Sequence, residues 1–345
     1  MEVFRLTKAS EYYNVSIKNL TEILQLRLIP HIKKISSSSN RASYYIPSMF
    51  VKYAKKILNF DKLDNASGKL EDFYNKNGTK IITFSNLKGG VGKTSIASNF
   101  AYTLAVLNKR VLLLDMDSQA NSSRYLANRY FTGESIKNIF DTLMRKEKID
   151  KEFIHTYIKT LEFENAKIDL LPSELALGRV VEFSRAVFTM PHKKLNDILK
   201  HIKDDYDFIV IDTPPSTGLS LHMAIYASDL MSIVTDAEDF SVNGLKELSS
   251  EIEEIEEETD KAIRVDSIFI NKVRNSKIHE VYIEAIAKLA IEQNIENVFT
   301  ISDSTRIKEA QNLHLPMLEY KSELDKGLIM STSILEYAIE KAVEA

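Results

Sequence analysis

The sequence has no cysteine and no tryptophan, and only ten glycines and seven prolines in 345 residues. Without cysteine there are no disulfides, thiolate metal sites or iron–sulfur clusters, although this says little about the compartment. No apolar run of about 18 residues is present, and residues 1–15 lack the apolar core of a secretory signal. Because 44% of the residues are hydrophobic, a folded chain is expected. These features together predict a soluble intracellular protein.

Acidic residues are scarce at the beginning of the chain. The first 60 residues contain three acidic and ten basic groups, so this head carries +7 and the remainder −11 of the net charge of −4. A basic head followed by an acidic remainder indicates that the two parts bind different partners, and nucleic acid is the first candidate for the head. The alternative is that the head's charge serves solubility alone.

A polar stretch separates the head from the body. Residues 61–80 read DKLDNASGKLEDFYNKNGTK, with two glycines and few large apolar side chains, which is typical of a linker. We therefore expect a head at 1–60, a linker at 61–79 and a body at 80–345. A chain of this length can hold two domains.

Short apolar runs alternate with helical patterns throughout the body. The runs are rich in β-branched residues, as expected for parallel strands covered on both faces. The segments between them place apolar residues at helical spacing, for example at 96–107 and 245–255. This alternation predicts βαβ units and a doubly wound, mostly parallel α/β sheet. The predicted strands are residues 81–84, 111–115, 168–171, 208–212, 230–234 and 267–271.

A glycine-rich loop with two lysines follows the first of these strands. It reads KGGVGKT from Lys88 to Thr94, between the strand IITFS and a predicted helix that begins near Thr94. Two ammonium groups this close repel each other unless an anion lies between them, and a helix N-terminus favours an anion at the same place. The loop departs from the pattern G-x-x-x-x-G-K-[ST] because Leu87 occupies the first glycine position. We interpret it as a site for the phosphates of a nucleotide.

The loop resembles the deviant Walker A motif of the ParA/MinD family of ATPases, and Lys88 stands at the position of that family's signature lysine. In the family, this lysine reaches across a dimer interface to the phosphates of the partner's ATP. The resemblance implies the P-loop NTPase fold and an ATP-dependent homodimer, in which Lys93 serves the nucleotide of its own subunit and Lys88 that of its neighbour. The nucleotide-binding residues that it implies are Gly89, Gly90, Val91, Gly92, Lys93, Thr94 and Ser95.

Two further segments resemble elements of the same family. LLLDMDSQANSS (112–123) is similar to the family's D-x-D-P-Q-x-N element, with Ser118 in place of the usual proline. FIVIDTPPS (208–216) is similar to the Walker B strand. Both segments end a predicted strand, so their carboxylates are expected at the same edge of the sheet as the glycine-rich loop.

The resemblance implies roles for the acidic residues of these segments. Asp117 would orient the attacking water or accept its proton, and Thr94, Asp115 and Asp212 would surround Mg²⁺. Carboxylates at the ends of adjacent buried strands repel each other without a cation, which leads to the same expectation. Asn271, in FINKVRN, stands at the family's adenine contact, with a simple turn-forming asparagine as the alternative.

The head resembles the winged helix-turn-helix of MerR-type regulators. Residues 6–24 read as two short helices joined at 14–16, residues 27–47 as a β-hairpin or wing, and residues 48–58 as a closing helix. This predicts a small, mainly α domain whose second helix enters the major groove while the wing contacts phosphate. The expected inward positions are Leu6, Ala9, Tyr13, Val15 and Leu20.

DNA contacts in the head follow from this resemblance. The predicted DNA-binding residues are Ser16, Lys18 and Asn19 near the second helix, and Arg41 and Tyr44 on the wing. A small helical module that serves dimer contacts alone is the alternative.

Long ParA proteins of plasmids combine these same parts. The resemblance implies a partition ATPase with weak, Mg²⁺-dependent hydrolysis, cytoplasmic and associated with the nucleoid. Its ATP-bound dimers would bind nonspecific DNA, and a ParB-like centromere-binding protein would stimulate hydrolysis and release. The head would bind operator DNA for autoregulation. The candidate residues for nonspecific DNA are Arg264, Lys272, Arg274, Lys277, Arg306 and Lys308.

Other functions remain open at this point. The chain ends in ILEYAIEKAVEA, with three glutamates and one lysine, unlike the basic amphipathic helix of membrane-binding MinD-like proteins, so no membrane partner is expected. Two alternatives to partition remain: an ATPase that positions a protein cargo, and a nucleotide-switched transcriptional repressor with little turnover.

Overall fold

The computed structural model describes most of the body and part of the head. The predicted closing helix of the head and nearly all of the predicted linker lie outside the described residues, so the domain boundaries remain predictions. The described residues are 3–18, 20–21, 32–35, 42–47, 78–107, 109–127, 149–173, 177, 181, 183, 186–259, 261–295, 297–320, 333–334, 337–338 and 341.

Three strands and a helix make up most of the described head. Strand β1 (Val3–Arg5) leads directly into helix α1 (Leu6–Tyr13), and β2 (Ile32–Ile35) pairs antiparallel with β3 (Ala42–Pro47). β1 pairs with the other side of β3, which gives the order β1-β3-β2. The predicted hairpin is therefore present, whereas β1 was not predicted.

The turn after α1 lies where the sequence predicts it. Asn14 ends the helix in the left-handed region, with φ of +56°, a conformation that asparagine tolerates well. Residues 17–18 and 20–21 are helical again. Ala9, Tyr13 and Leu20 are buried, as the helical spacing of the apolar residues predicts.

The body contains one eight-stranded sheet. Its strands are β4 (Lys80–Ser85), β5 (Val111–Asp115), β6 (Lys159–Glu162), β7 (Lys167–Leu171), β8 (Phe208–Asp212), β9 (Leu230–Asp236), β10 (Val265–Val273) and β11 (Asn297–Ser302). Their order is β11-β10-β9-β4-β8-β5-β7-β6. All neighbouring pairs are parallel except β6 and β7. The six predicted strands are confirmed.

The two strands that were not predicted, β6 and β11, lie at the edges of the sheet. Only Leu161 of β6 and Ile301 of β11 are buried. Because an edge strand is covered less completely, neither segment shows the continuous apolar run on which the other predictions depended.

Helices cover both faces of the sheet. They are α2 (Lys93–Val106), α3 (Asn121–Ala127), α4 (Lys151–His155), α5 (Lys194–Leu199), α6 (Leu219–Ala227), α7 (Asp239–Thr259), α8 (Lys277–Glu292) and α9 (Thr305–Asn312), with single 3₁₀ turns at Pro191–Lys193, Lys203–Asp205 and Met317–Glu319. Val210 of β8 lies in the same apolar cluster as Phe100 of α2, whereas its neighbour Ile211 lies in a second cluster with Leu195 of α5 and Met223 of α6. Successive side chains of a strand point to opposite faces, so the doubly wound arrangement is confirmed.

A buried ion pair joins residue 341 to β10. Lys341 Nζ lies 2.9 Å from Asp266 Oδ2, and the two side chains are 3% and 1% exposed. Arg264 also contacts this carboxylate, at 3.3 Å, but its side chain is 63% exposed. Lys341 is therefore the buried counter-charge of Asp266.

We expect Lys341→Met to lower the free energy of unfolding by roughly 3–5 kcal/mol, because Asp266 would remain buried without its main partner. Urea denaturation measures the change. Lys246→Met, at an exposed lysine of α7, is the control and should change stability by less than about 0.5 kcal/mol. Equal midpoints for the two variants would contradict the prediction.

Candidate functional site

The glycine-rich loop lies between β4 and α2, at the carboxyl edge of the sheet. β4 is flanked by β8 and β9, so the loop sits near the centre of the sheet. Gly90 and Gly92 have φ values of +74° and +101°, in the region that favours glycine. A Cβ atom at Gly92 would also lie 2.3 Å from Nδ2 of Asn271. No other residue fits at position 92 without displacing Asn271.

A cavity of about 420 Å³ opens beside the loop. Four residues of the loop, Ser95 of α2 and Asp117 line it. The rest of its wall comes from α3, from Pro215 and from the end of α9. The lining residues are Gly90, Gly92, Lys93, Thr94, Ser95, Asp117, Asn121, Arg124, Tyr125, Pro215, Gln311, Asn312 and His314. Asn121 could have been found from the D-x-D-P-Q-x-N element, but no pattern in the sequence pointed to the residues of α9.

Lys93 points along the inside of the loop. Its side chain is largely buried, and its Nζ donates a hydrogen bond to the Lys88 carbonyl oxygen at 3.1 Å. Burial lowers the pKa of Lys93, and the charges of Asp212 and Asp117 oppose that shift in part. A desolvated ammonium group is stabilised by an anion in the adjoining cavity.

Lys88 points to carboxylates of its own subunit. Its Nζ lies 2.9 and 3.0 Å from the two carboxylate oxygens of Asp236 and 2.7 Å from Glu238 Oε2. Partial burial lowers the pKa of Lys88, but the hydrogen bonds to Glu238 and Asp236 outweigh it, so the pKa is raised. The premise that only an anionic ligand could relieve the repulsion between the two lysines is therefore wrong, since these carboxylates already neutralise Lys88.

Two buried carboxylates stand side by side at the ends of neighbouring strands. Asp115 of β5 pairs in register with Asp212 of β8, and both are fully buried. Burial raises the pKa of both groups; the charge of Asp212 raises that of Asp115 further, and hydrogen bonds from Ser122 and Thr94 oppose the shift at Asp212. The site therefore favours a cation beside this pair.

Asp115 and Asp212 have different surroundings. Asp115 Oδ1 accepts a hydrogen bond from the Asp117 N–H at 3.0 Å, and Oδ2 accepts from the N–H and Oγ of Ser123 at 2.8 and 2.7 Å. Asp212 Oδ2 accepts from Ser122 Oγ at 2.6 Å, whereas its buried Oδ1 has no hydrogen-bond partner among the described residues. Asp115 thus orders the loop that carries Asp117, and Asp212 offers the free oxygen that a magnesium site needs.

Asp117 lines the same cavity as the glycine-rich loop. It is 4% exposed, and its carboxylate accepts hydrogen bonds from the Gln119 N–H at 2.9 Å and from Asn121 Nδ2 at 3.2 Å. These bonds fix the carboxylate beside the cavity, where it can act on a bound water. Asn271, in contrast, does not line the cavity; its Nδ2 donates to the Val91 carbonyl oxygen at 2.8 Å.

The predicted DNA-binding residues are only partly described. Ser16 and Lys18 are exposed; Asn19, Arg41 and the side chain of Tyr44 lie outside the described part. Among the candidates for nonspecific DNA, Arg274 is paired with Asp303 at 2.8 Å. The others at the same end of the sheet are Lys272, Lys277, Arg306 and Lys308, while Arg264 precedes β10 at the opposite end. Within the described residues, no helix combines the length and apolar character needed to cross a membrane.

Comparison with known proteins agrees with this geometry. A protein-family model described as an AAA domain matches residues 79–265. An uncharacterized protein of Methanocaldococcus jannaschii is 31% identical over 262 residues, which are 75% of this chain and 98% of that protein. The sporulation initiation inhibitor protein Soj of Bacillus subtilis is 29% identical over 242 residues, which are 70% of this chain and 91% of Soj.

Solved structures that are similar to the chain include two with bound nucleotides. A Borrelia burgdorferi B31 protein assigned to plasmid partition and bound to AMPPNP is 27% identical, with a TM-score of 0.59 over 76% of this chain and 99% of that one. The septum site-determining protein MinD of Pyrococcus horikoshii, complexed with Mg-ADP, shares the fold at 21% identity, with a TM-score of 0.56 over 77% and 95%. Their nucleotides are in line with the predicted ATP and Mg²⁺. The chain belongs to the ParA/MinD family of P-loop ATPases.

Proposed function

We propose that the chain is a DNA partition ATPase that works as an ATP-dependent homodimer. The observation that carries the proposal is a P-loop cavity with Lys93 in its wall and a second lysine, Lys88, at the start of the same glycine-rich loop, where Asp236 holds its ammonium group. ATP-bound dimers bind nonspecific DNA, and a ParB-like centromere-binding protein stimulates hydrolysis and release. The Borrelia relative, whose name assigns it to plasmid partition, supports this assignment.

Each group of residues at the cavity has its own role in nucleotide binding and hydrolysis. Backbone N–H groups of the glycine-rich loop and Lys93 hold the phosphates. Thr94 and Asp212 would hold Mg²⁺, which would neutralise negative charge on the phosphates. Asp117 orients the attacking water or takes its proton. Asp115, which the resemblance also assigned to the magnesium shell, acts through the hydrogen bonds that position the Asp117 loop.

Lys88 has two competing positions in this scheme. In the single chain, Asp236 and Glu238 hold its ammonium group. To reach the nucleotide of a second subunit, Lys88 must exchange these carboxylates for phosphates. ATP therefore favours the dimer by supplying a stronger anion than the two carboxylates supply, and the loss of the γ-phosphate reverses the preference.

We expect Lys88→Ala to weaken ATP-dependent dimerisation by about 100-fold, since losing a buried charged contact at an interface costs roughly 2–5 kcal/mol. ATP binding by the single subunit should change little. Analytical ultracentrifugation with ATP, with ADP and without nucleotide measures the dimer. Lys200→Ala, at an exposed lysine paired with Asp197, is the control. ATP-dependent dimers of normal affinity in Lys88→Ala would contradict the scheme.

The head adds sequence-specific binding, by which the protein regulates its own operon. We expect Lys18→Ala to weaken binding to a duplex from the promoter of its own gene by about tenfold, since a base contact is worth roughly 1–3 kcal/mol. Binding to a random duplex with ATP should not change. Fluorescence anisotropy across a salt series measures both, with Lys246→Ala as control. Equal losses on the two duplexes would show that Lys18 carries no specificity.

The variant Asp117→Ala distinguishes a partition ATPase from the two alternatives, which are a nucleotide-switched transcriptional repressor and an ATPase that positions a protein cargo. We expect ATP hydrolysis to fall at least 100-fold, as for the loss of a general base, while ATP binding and repression of the operon persist. A plasmid carrying the variant should be lost from growing cells at the random rate. Stable inheritance would favour a nucleotide-switched repressor. A mislocalised protein complex in cells that keep the plasmid would favour an ATPase that positions a protein cargo.

A further inference from the structure

The carboxyl end of β10 is irregular. Its register with β11 shifts between Ile270 and Val273, and Lys272 lies in the left-handed region with φ of +55°. In a regular strand, consecutive side chains point to opposite faces. Here a bulge brings Asn271 and Lys272 to the same neighbour, which is the glycine-rich loop.

Both side chains donate hydrogen bonds to backbone carbonyls of that loop. Asn271 Nδ2 lies 2.8 Å from the Val91 carbonyl oxygen. Lys272 Nζ lies 2.5 Å from the Gly90 carbonyl oxygen. Lys93, at the end of the loop itself, makes a third bond of this kind to Lys88, so the distant strand β10 supplies two of the donors to the loop's carbonyl groups and the loop supplies the third.

These bonds determine the direction of the loop's N–H groups. The described chain has no cis peptide, and in a trans peptide the C=O and the following N–H point in opposite directions. When the Gly90 and Val91 carbonyls are held against β10, the N–H groups of Val91 and Gly92 point away from β10. Donors that are oriented before an anion arrives bind it more strongly, because no reorganisation is needed.

The conformation of Lys272 is unfavourable for its residue type. A side chain in the left-handed region is strained relative to glycine, and such strain persists where the residue serves a purpose that offsets it. The hydrogen bond to Gly90 is the described contact that this conformation makes possible. Because its ammonium group is engaged there, Lys272 is a poor candidate for the nonspecific DNA contact that the sequence suggested.

We infer that Lys272 is a positioning residue for nucleotide binding: together with Asn271, it anchors the carbonyls of Gly90 and Val91 so that the adjoining N–H groups face the phosphates. The inference rests on the proposed function to the extent that the anion is a nucleotide. What is new is a contact from β10 that holds the glycine-rich loop in its binding conformation before ATP arrives.

Lys272→Gly tests this inference, because it removes the ammonium group and also relieves the strained backbone. We expect an unchanged or higher melting temperature, but a Kd for ATP and for ADP raised at least fivefold, measured by titration calorimetry on the full chain. A purely structural role would change stability and affinity together in the same direction. Lys272→Met should match the glycine variant in affinity, and Lys272→Arg, which keeps a donor, should recover most of the loss.

Arg274→Ala is the matched control, since Arg274 is an exposed cation two residues further on and is paired with Asp303. Its nucleotide Kd should stay within twofold of the unchanged protein. The inference is overturned if Lys272→Gly and Lys272→Met bind nucleotide normally. It is also overturned if the glycine variant loses stability and affinity together. A normal nucleotide Kd with a salt slope for random DNA reduced by about 0.9 would make Lys272 a DNA contact instead.

These measurements distinguish failure of the proposed partition function from failure of the role inferred for Lys272. The titrations report nucleotide binding by each subunit, whether or not dimers or DNA complexes form. An unchanged chain that binds ATP but neither dimerises nor binds DNA with ATP would end the partition proposal and leave the comparison of the Lys272 variants intact.

Discussion

The site depends on one constraint, which is that a short loop must present several backbone N–H groups to the same anion. Each such N–H belongs to a peptide whose carbonyl points the other way and needs its own donor. In this protein, Lys93, Asn271 and Lys272 supply three of those donors. The P-loop is therefore not a local structure, because part of its hydrogen bonding comes from a strand about 180 residues further along the chain.

Burial and pairing also determine the behaviour of the charged groups at the site. Asp115 and Asp212 stand side by side at the ends of neighbouring strands, where burial makes two negative charges unfavourable. Their hydrogen bonds differ: protein donors bind both oxygens of Asp115, while Oδ1 of Asp212 has no hydrogen-bond partner in the described part of the chain. Lys88 is balanced by Asp236 and Glu238 in the single chain, so the charge that serves dimerisation in our proposal has an alternative partner within its own subunit.

Much of the fold could be predicted because buried parallel strands require continuous apolar runs, and these are visible in the sequence. The edge strands β6 and β11 lack such runs and were missed. The cavity wall formed by Gln311, Asn312 and His314 was also missed, since nothing local marks these residues as neighbours of the P-loop. The pairing of Lys88 with Asp236 spans 148 residues, so the loop sequence alone does not show that a carboxylate already neutralises this lysine.

The class of fold, the glycine-rich loop and the acidic residues at the strand ends could be read from the chain before folding, because periodicity, glycine placement and short motifs are local properties. Three features became visible in the folded chain: the Asp212 oxygen without a hydrogen-bond partner among the described residues, the carboxylates that pair with Lys88, and the strained lysine near the end of β10. Those features depend on distances between groups far apart in the chain, and the folded sheet alone sets such distances.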